Sequence, residues 1–481
     1  MTSASFENTP PVPPFGAATG TTSGTTSGTP AAAPARAPDP LLTAPLLPTL
    51  LRFALPNMGA MLATALAAIA ETTYVGSFGV ASLAGMALVF PMIMFQMMLS
   101  GGAMGGGVSS AVSRALGAGD ADRADALAVH ALWIGGAAGM LTMGLMLSFG
   151  PALFAALGGS GPALSQAVAY ANVAFFGSVG VWLVNTFASV LRGSGNMVVP
   201  SATLLAVSLA QVLLGGALGL GVGPLPSLGM AGVAAGQVIA YSAGAGFLFL
   251  YLRSGRARVR LAVRATRLQP ELLRDILRVG ALACLSPLQT VLTILILTRL
   301  VAQFGTTALA GYGIGTRLEF LLVPIAFAIG VASVPLVGMA IGAGKVARAR
   351  RAAWAAASLA TAVLSVLGFL LAWAPDLWTA RFTQDPAVRA SAALYFRWAG
   401  PCYGVFGLGL SLYFSSLGAG KVVGPVLAGT LRLVLVAAGG ALLAAAQTPA
   451  WTIFALVAVG MVAYGLGTAA AVRYSVWGVE R

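Results

Sequence analysis

The chain has 481 residues, of which 58% are hydrophobic and only 8% are charged, and its formal net charge is +14. A soluble domain needs a charged surface, typically about a quarter of its residues, so the outer surface of this chain is expected to face lipid. Glycine is abundant, at 62 residues, which suits helices that pack closely in a bilayer. The composition therefore predicts an all-α membrane protein and argues against a barrel of alternating strands.

Catalytic and metal-binding side chains are scarce. The single histidine is His130, and the two cysteines, Cys284 and Cys402, lie in separate apolar runs without metal-ligand spacing. The glycine-rich turns at 117–120, 193–196 and 418–421 have neither the preceding strand nor the Gly-Lys-Ser/Thr ending of a phosphate loop. We therefore expect no enzyme, no metal site and no cofactor, and no ATP-driven pumping within the chain.

In chain order, residues 1–46 are rich in Thr, Ser, Gly, Pro and Ala and are expected to form a disordered cytoplasmic tail. From Leu47, apolar stretches of about the twenty residues needed to cross a bilayer follow one another. We place twelve spans at 50–75, 82–113, 124–149, 164–190, 197–220, 228–252, 276–300, 308–340, 352–374, 391–416, 424–445 and 450–473.

These spans divide the chain into two bundles of six. The first bundle covers 47–252, a basic cytoplasmic linker covers 253–275, the second bundle covers 276–475, and 476–481 form a cytoplasmic carboxyl terminus. The predicted fold class is an all-α membrane protein with twelve transmembrane helices.

Positive charge is concentrated between the spans. Eight arginines fall between Arg253 and Arg278, whereas the loops at 150–163, 221–227 and 446–449 carry no charge. By the positive-inside rule, the basic loops and both termini are expected on the cytoplasmic side of the inner membrane. This placement accounts for the net charge, so we expect contact with lipid headgroups and no nucleic acid binding.

Short motifs recur in the second half of the chain at a nearly constant offset. Each half holds an even number of spans, so both halves enter the membrane in the same direction. We expect two pseudo-symmetric bundles related by an axis along the membrane normal, with the substrate path between them. The matches are FGVASLAG (78–85) with FGTTALAG (304–311) at an offset of 226, 114–124 with 339–349 at an offset of 225, and 192–200 with 416–425, where Pro200 maps to Pro425, again at 225.

The motifs resemble those of the multidrug and toxic compound extrusion (MATE) family. The first span carries Pro56 and the stretch ETTYVGSFGVASLAG, and similar family segments lie at 310–354, 382–401 and 418–432. The resemblance covers about residues 47–475. It implies a V-shaped antiporter of twelve helices that expels organic, often cationic, compounds in exchange for protons or sodium. We expect it to act as a monomer.

Four positions depart from the family pattern. Glu71 stands where the family usually has Asp in the first span. The fifth-span Asn-x-x-x-Asp pair of many prokaryotic members is replaced by Gln211 and Gly215, and Gln289 lies nearest to the seventh-span acid of one bacterial branch. The resemblance is therefore to the DinF-like branch rather than to the sodium-coupled NorM-like branch.

Two acids, Glu71 and Glu319, lie inside predicted spans, at least one helical turn from the span ends. Carboxylates at membrane depth are costly and are functional candidates. Low dielectric disfavours the charged form, so a lone buried Glu can take up and release a proton near neutral pH. We predict Glu71 as the cation-coupling residue, assisted by Gln211; the alternative is a structural glutamate that water reaches at the helix end. Sodium prefers several hard oxygen ligands, so coupling to H⁺ is favoured over Na⁺.

Glu319 allows two interpretations. It could attract a cationic substrate, with Arg317 close by, or it could form an ion pair with Arg299 or Arg432 that locks the bundle. Further substrate contacts are predicted from thioether, amide and aromatic side chains within the spans. These are Met94, Met97, Gln96, Gln289, Tyr312, Tyr403 and Phe406.

The sequence thus predicts a secondary-active multidrug antiporter that exports small amphipathic, often cationic, compounds by alternating access. The alternative is a flippase or exporter of a lipid-linked or anionic metabolite. That function would require several basic residues in the cleft, and the candidates are Arg299, Arg317, Arg397 and Arg432. A channel or membrane scaffold would require neither intramembrane acids nor a duplicated half.

Overall fold

In lipid, a long apolar run can satisfy the hydrogen bonds of its backbone by forming a helix. The computed structural model describes residues 40–224, 226–263 and 267–478, and these contain no strand. All of these belong to one compact unit, Asp39–Arg481. The other unit, Met1–Pro38, and most of the predicted tail lie outside the described residues. The last part of the predicted tail contains a 3-10 turn, Pro40–Leu42, followed by a segment whose Ala44 carbonyl accepts from Arg348 Nη2 at 2.6 Å.

Eight α-helices lie in the described residues of the first half. A π-helical segment, Met98–Met104, joins the second helix to the third. The helices are α1 (Leu46–Gly76), α2 (Val80–Met97), α3 (Gly105–Gly117), α4 (Ala121–Ala156), α5 (Gly161–Phe176), α6 (Ser178–Gly193), α7 (Val198–Leu220) and α8 (Gly229–Arg253).

The part of the second half that the structure describes, 267–478, contains nine α-helices, one of which has a single turn. They are α9 (Pro270–Ala283), α10 (Leu285–Ala302), α11 (Thr306–Gly342), α12 (Val346–Trp373), α13 (Asp376–Thr379), α14 (Pro386–Ala399), α15 (Tyr403–Gly418), α16 (Val423–Ala445) and α17 (Trp451–Tyr474).

Every predicted span has a helical counterpart. Ten helical segments among the described residues are long and apolar enough to cross a membrane, and the pair α5–α6, bent by 47°, makes an eleventh. The predicted span 391–416 corresponds to α14 and α15, which the 3-10 turn Gly400–Cys402 interrupts. The predicted fold class is therefore confirmed.

The outer surface of the helices is apolar, as a lipid environment requires. Leu66, Leu213 and Val366 are 65%, 63% and 67% exposed, respectively. In water such side chains would form large apolar patches, which soluble monomers rarely expose.

The two halves pair their helices in the same way. In the first half α1 packs on α7, α2 on α5, α4 on α6 and α7 on α8. In the second half α10 packs on α16, α11 on α14, α12 on α15 and α16 on α17. These pairs are equivalent under the sequence repeat, so the duplication predicted from the motifs is present in the packing.

The recurrent glycine-rich turns end four helices in the same conformation. Gly119, Gly195, Gly344 and Gly420 have φ of 80°, 85°, 72° and 70°. The next residue then donates its N–H to a carbonyl five positions earlier, as from Lys345 to Ala340 at 2.8 Å. This is the Schellman arrangement, which favours glycine because it has no Cβ. We call the end of the molecule that carries these turns and the arginine-rich linker the linker face.

The two halves meet at the linker face through repeat-equivalent glycines. Gly117 ends α3 and Gly342 ends α11. A Cβ on Gly117 would clash with the carbonyl group of Met339, and a Cβ on Gly342 would clash with the carbonyl oxygen of Arg114. Arg114 Nη2 also forms an ion pair with Asp275 Oδ1 at 2.8 Å. Small residues let the helix backbones approach, so the glycine repeat forms the junction between the halves.

Candidate functional site

Glu71 lies on α1 inside the first bundle and is only 4% exposed. Gln211 on α7, also buried, donates from Nε2 to Glu71 Oε1 at 2.5 Å. In the described part of the chain, no lysine, arginine or histidine forms an ion pair with Glu71. A buried carboxylate without a cationic partner is costly, and the amide of Gln211 is the one side-chain hydrogen-bond partner of Glu71 among the described residues. The structure thus brings the two predicted coupling residues together, away from bulk water.

Three phenols surround this pair. Tyr74 on α1, Tyr170 on α5 and Tyr241 on α8 are each close enough to Glu71 to interact with it electrostatically. Tyr170 donates to Gln237 Oε1 at 3.2 Å. The buried hydroxyl of Tyr74 has no hydrogen-bond partner among the described residues. The sequence analysis did not select these tyrosines, although together they make the surroundings of Glu71 polar.

Gly215 shows how the chain accommodates its departure from the fifth-span family pattern. A Cβ at Gly215 would lie 2.9 Å from the hydroxyl oxygen of Tyr74. The phenol therefore fills the space that a larger side chain at this position would enter. In this chain the polar groups near Glu71 come from an amide and phenols, and no second carboxylate stands at position 215.

Glu319 lies inside the second bundle, on α11. The hydroxyl of Tyr395 on α14 donates to Glu319 Oε1. Glu319 and Arg432 line one cavity of about 20 Å³ together with Tyr403 and Phe406. A cavity of that size holds about one water molecule and is too small for an organic substrate.

Of the two arginines proposed as partners of Glu319, the structure brings Arg432 near it, but their side chains form no direct ion pair in the described chain. Arg432, on α16, interacts electrostatically with Glu319, and its guanidinium lies 5.3 Å from the ring centroid of Phe406. Arg299, the other proposed partner, is exposed on α10. Arg317 is exposed too and lies over the ring of Phe382 at 5.5 Å, outside the Glu319 cavity.

One tyrosine beside Glu71 and one beside Glu319 could have been found from the internal sequence repeat. Tyr170 and Tyr395 are 225 residues apart, which is the offset of the motifs. Both tyrosines are buried, with 1% and 0% of their surface exposed, and each lies beside the intramembrane acid of its own bundle, which is buried Glu71 in the first and half-buried Glu319 in the second. Glu71 and Glu319 themselves do not occupy equivalent positions in the repeat. Glu71 lies on α1, whereas Glu319 lies on α11, the counterpart of α2.

The predicted substrate residues of the first bundle lie between α2 and its neighbours. Ser178 donates to Gln96 Oε1 at 3.5 Å. Met97 Sδ lies 3.8 Å from Asn185 Nδ2 and 3.9 Å from the hydroxyl of Tyr241. Met94 is half-buried on the same helix.

The predicted substrate residues of the second bundle are likewise part of helix packing. The ring of Tyr312 meets Tyr395 edge-on at 5.5 Å between centroids. Gln289 Nε2 donates to Thr430 Oγ1 at 2.8 Å and so joins α10 to α16. The residues predicted to bind substrate therefore do not converge on one pocket among the described residues.

The electrostatic interaction between Arg432 and Glu319 predicts that Arg432→Gln lowers the free energy of unfolding, by at most about 3–5 kcal/mol, because it removes the positive charge that compensates the half-buried Glu319 carboxylate. The double variant Glu319→Gln/Arg432→Gln should recover most of this loss. The measurement is the apparent Tm in detergent for both single variants and the double variant, with the exposed Arg299→Gln as control. Additive losses in the double variant would contradict this interaction.

Comparison with known proteins agrees with the duplicated architecture. The sequence model of the MatE family matches residues 56–215 and again residues 283–442, one copy in each half. The chain belongs to the MATE family of transporters. The family resemblance inferred from the motifs is thus confirmed.

This MATE transporter has relatives with different named substrates. It is 25% identical to the FAD transporter of Shewanella oneidensis, over 76% of the chain and 81% of the relative. It is 26% identical to the probable multidrug resistance protein NorM of Thermotoga maritima, over 70% of the chain and 73% of that relative. A transporter of the MOP superfamily from Pyrococcus furiosus, described as having a binding pocket of reverse polarity, matches with a TM-score of 0.82 at 22% identity, over 90% of this chain and 96% of that one. This last match supports the fold alone.

Proposed function

We propose that this MATE transporter is a secondary-active, monomeric exporter that exchanges small amphipathic organic cations for protons by alternating access. The main support is Glu71, a carboxyl group that is buried in the first bundle with Gln211 and has no cationic partner in the described chain. The similarity to a probable multidrug resistance protein supports organic substrates.

The proposed exchange follows from the charge on one group. With a proton on Glu71 the cluster is neutral, and without it a negative charge lies in a medium of low dielectric, where a cation is attracted strongly. A proton and a cationic substrate then compete for the same charge. This competition couples the uptake of one to the release of the other.

Sodium is the weaker candidate for the coupling ion. Hard cations are usually held by several oxygen ligands. Among the described residues, no group of three or more Asp, Glu, His or Cys side chains is placed to hold a metal ion, and Gln211 directs its amide nitrogen, a donor, toward Glu71.

The linker face is assigned to the cytoplasmic side of the inner membrane in this proposal. It carries the linker arginines and the cluster that begins at Lys345, as the positive-inside rule requires. In the described conformation Gly117 and Gly342 hold the two halves together at this face. Alternating access then requires this junction to separate and the opposite end to close.

A gradient experiment tests the proposal. Purified protein is reconstituted into vesicles, and ethidium transport is followed with a pH gradient or a sodium gradient imposed separately. We expect the pH gradient alone to drive ethidium and the sodium gradient alone to drive none. Transport driven by sodium at constant pH would overturn the assignment of the proton as the coupling ion.

Export of an anionic metabolite is a second candidate function, favoured by the similarity to an FAD transporter. The same vesicles distinguish it, because FAD can replace ethidium as the transported probe. Transport of FAD without transport of ethidium would assign the chain to this second function. The described polar clusters contain one basic side chain, Arg432, beside Glu319, which is a weak basis for binding a polyanion.

A further inference from the structure

An apolar groove of about 630 Å³ lies on the first bundle near the linker face. Trp133 and Met140, on its α4 wall, are 53% and 59% exposed, so the groove opens outward. From Leu132 to Met140 this wall rises about 12 Å toward the membrane interior at the rise of an α-helix. The groove is lined by side chains from α4, α6, α8 and the linker, among them Leu132, Trp133, Met140, Leu183, Phe249 and Leu261.

The linker forms one wall of the groove because it is attached to α4. The backbone N–H of Arg260 donates to Asp125 Oδ1 at 2.8 Å, and that of Gln269 donates to His130 Nε2 at 2.7 Å. The side chains of Val259 and Leu261 are buried against the bundle. The groove is therefore preformed, which lowers the entropy lost when a ligand binds.

A positive charge lies at the end of the groove. Arg253, the last residue of α8, is the one charged side chain among the described residues that line it. Its guanidinium lies 5.8 Å from the ring centroid of Phe249, and no acid forms an ion pair with it in the described chain. Arg256, Arg258 and Arg260 follow within seven residues.

We propose that this groove is a binding site for one anionic phospholipid, with its phosphate at Arg253 and an acyl chain along the α4 wall. Lipid is the molecule that surrounds this surface, and basic pockets between transmembrane helices on one side of a membrane suit anionic headgroups. The apolar walls of the groove suit a hydrocarbon chain, and the guanidinium of Arg253 at its end suits the negatively charged headgroup. The groove shares no lining residue with the Glu71 and Glu319 clusters, so lipid binding there does not depend on the proposed transport reaction.

Two variants test the two parts of the site. Gly136 lies on the groove, and a Cβ there would meet no atom within 4 Å, so Gly136→Trp should fill the groove without disturbing the helix. Gly246→Trp is its control, because Gly246 is exposed on α8 with equally open space and lies outside the groove. Arg253→Gln removes the charge, and Arg274→Gln removes a different exposed arginine, on α9.

The measurement is native mass spectrometry of the full chain in detergent, titrated with dioleoylphosphatidylglycerol or dioleoylphosphatidylcholine. We expect wild type to retain one phosphatidylglycerol in preference to phosphatidylcholine. Arg253→Gln should weaken phosphatidylglycerol binding about fivefold, as expected for one basic residue facing an anionic lipid, and Gly136→Trp should remove the retained lipid. Both controls should behave as wild type.

Equal retention of the two lipids by wild type would overturn the proposal, and so would wild-type binding in both groove variants. If Gly136→Trp does not fold, the exposed Arg253→Gln decides the outcome, because its loss of preference for phosphatidylglycerol over phosphatidylcholine is expected only if the headgroup binds there. A loss of binding in Arg274→Gln equal to that in Arg253→Gln would indicate general attraction of anionic lipid to the linker face and would also overturn the site.

Discussion

Glu71→Gln is expected to lower proton-driven ethidium export by about 10- to 100-fold. This factor corresponds to the loss of a coupling free energy of typical size. The amide has nearly the shape of the carboxyl group, but it cannot take up or release a proton. Glu71 is buried, and among the described residues its one side-chain hydrogen bond comes from Gln211, so the variant should still fold. The measurement is the initial export rate in vesicles with an imposed pH gradient.

The matched control is Glu71→Asp, which keeps the carboxyl group on a side chain shorter by one methylene. It should retain export driven by the pH gradient, with a reduced rate because the hydrogen bond from Gln211 is stretched. Ethidium binding to Glu71→Gln should also lose its dependence on pH, since the competing proton site is gone. Wild-type export by Glu71→Gln would remove Glu71 from the coupling mechanism.

Gly342→Ala is expected to disrupt the junction at the linker face. Its Cβ would clash with the carbonyl oxygen of Arg114, and overpacking of this kind destabilises a structure by about 1–3 kcal/mol. Because the clash is confined to the conformation in which the halves are joined here, it should shift the population away from that conformation. We expect a lower apparent Tm and a slower export rate.

Gly313→Ala provides the control on the same helix. A Cβ at Gly313 would meet no atom within 4 Å, so alanine there should be neutral or should stabilise α11 by up to about 1 kcal/mol. Both variants are compared by Tm in detergent and by export in vesicles. Equal behaviour of Gly342→Ala and Gly313→Ala would show that close packing at the Gly117–Gly342 junction is not required.

The features that could be predicted from the sequence are those with a local cause. The length of each apolar run determines whether a helix can span the bilayer, so all twelve spans could be placed. The glycine-rich turns need left-handed backbone at Gly119, Gly195, Gly344 and Gly420, so their recurrence also revealed the duplication. A carboxylate within an apolar run is conspicuous by itself, which is why Glu71 and Glu319 were identified.

Helix rotation and neighbours could not be predicted in the same way. Tyr74, Tyr170 and Tyr241 come from three helices and meet around Glu71 only in the folded bundle. The predicted substrate residues separate for the same reason: Arg317 is exposed while Glu319, two residues later, joins Tyr395.

The physical reason is the solvent. In water, an apolar stripe identifies the face of a helix that packs inward, but lipid tails are as apolar as the helix interface. In this chain, exposed Leu66 and buried Ala67 are adjacent apolar residues on α1, and nothing in their chemistry separates the lipid side from the packed side. The sequence by itself determined the number of spans, the internal repeat and the intramembrane acids; the tertiary structure decided which side chains surround each acid, where the halves meet and where the outer groove lies.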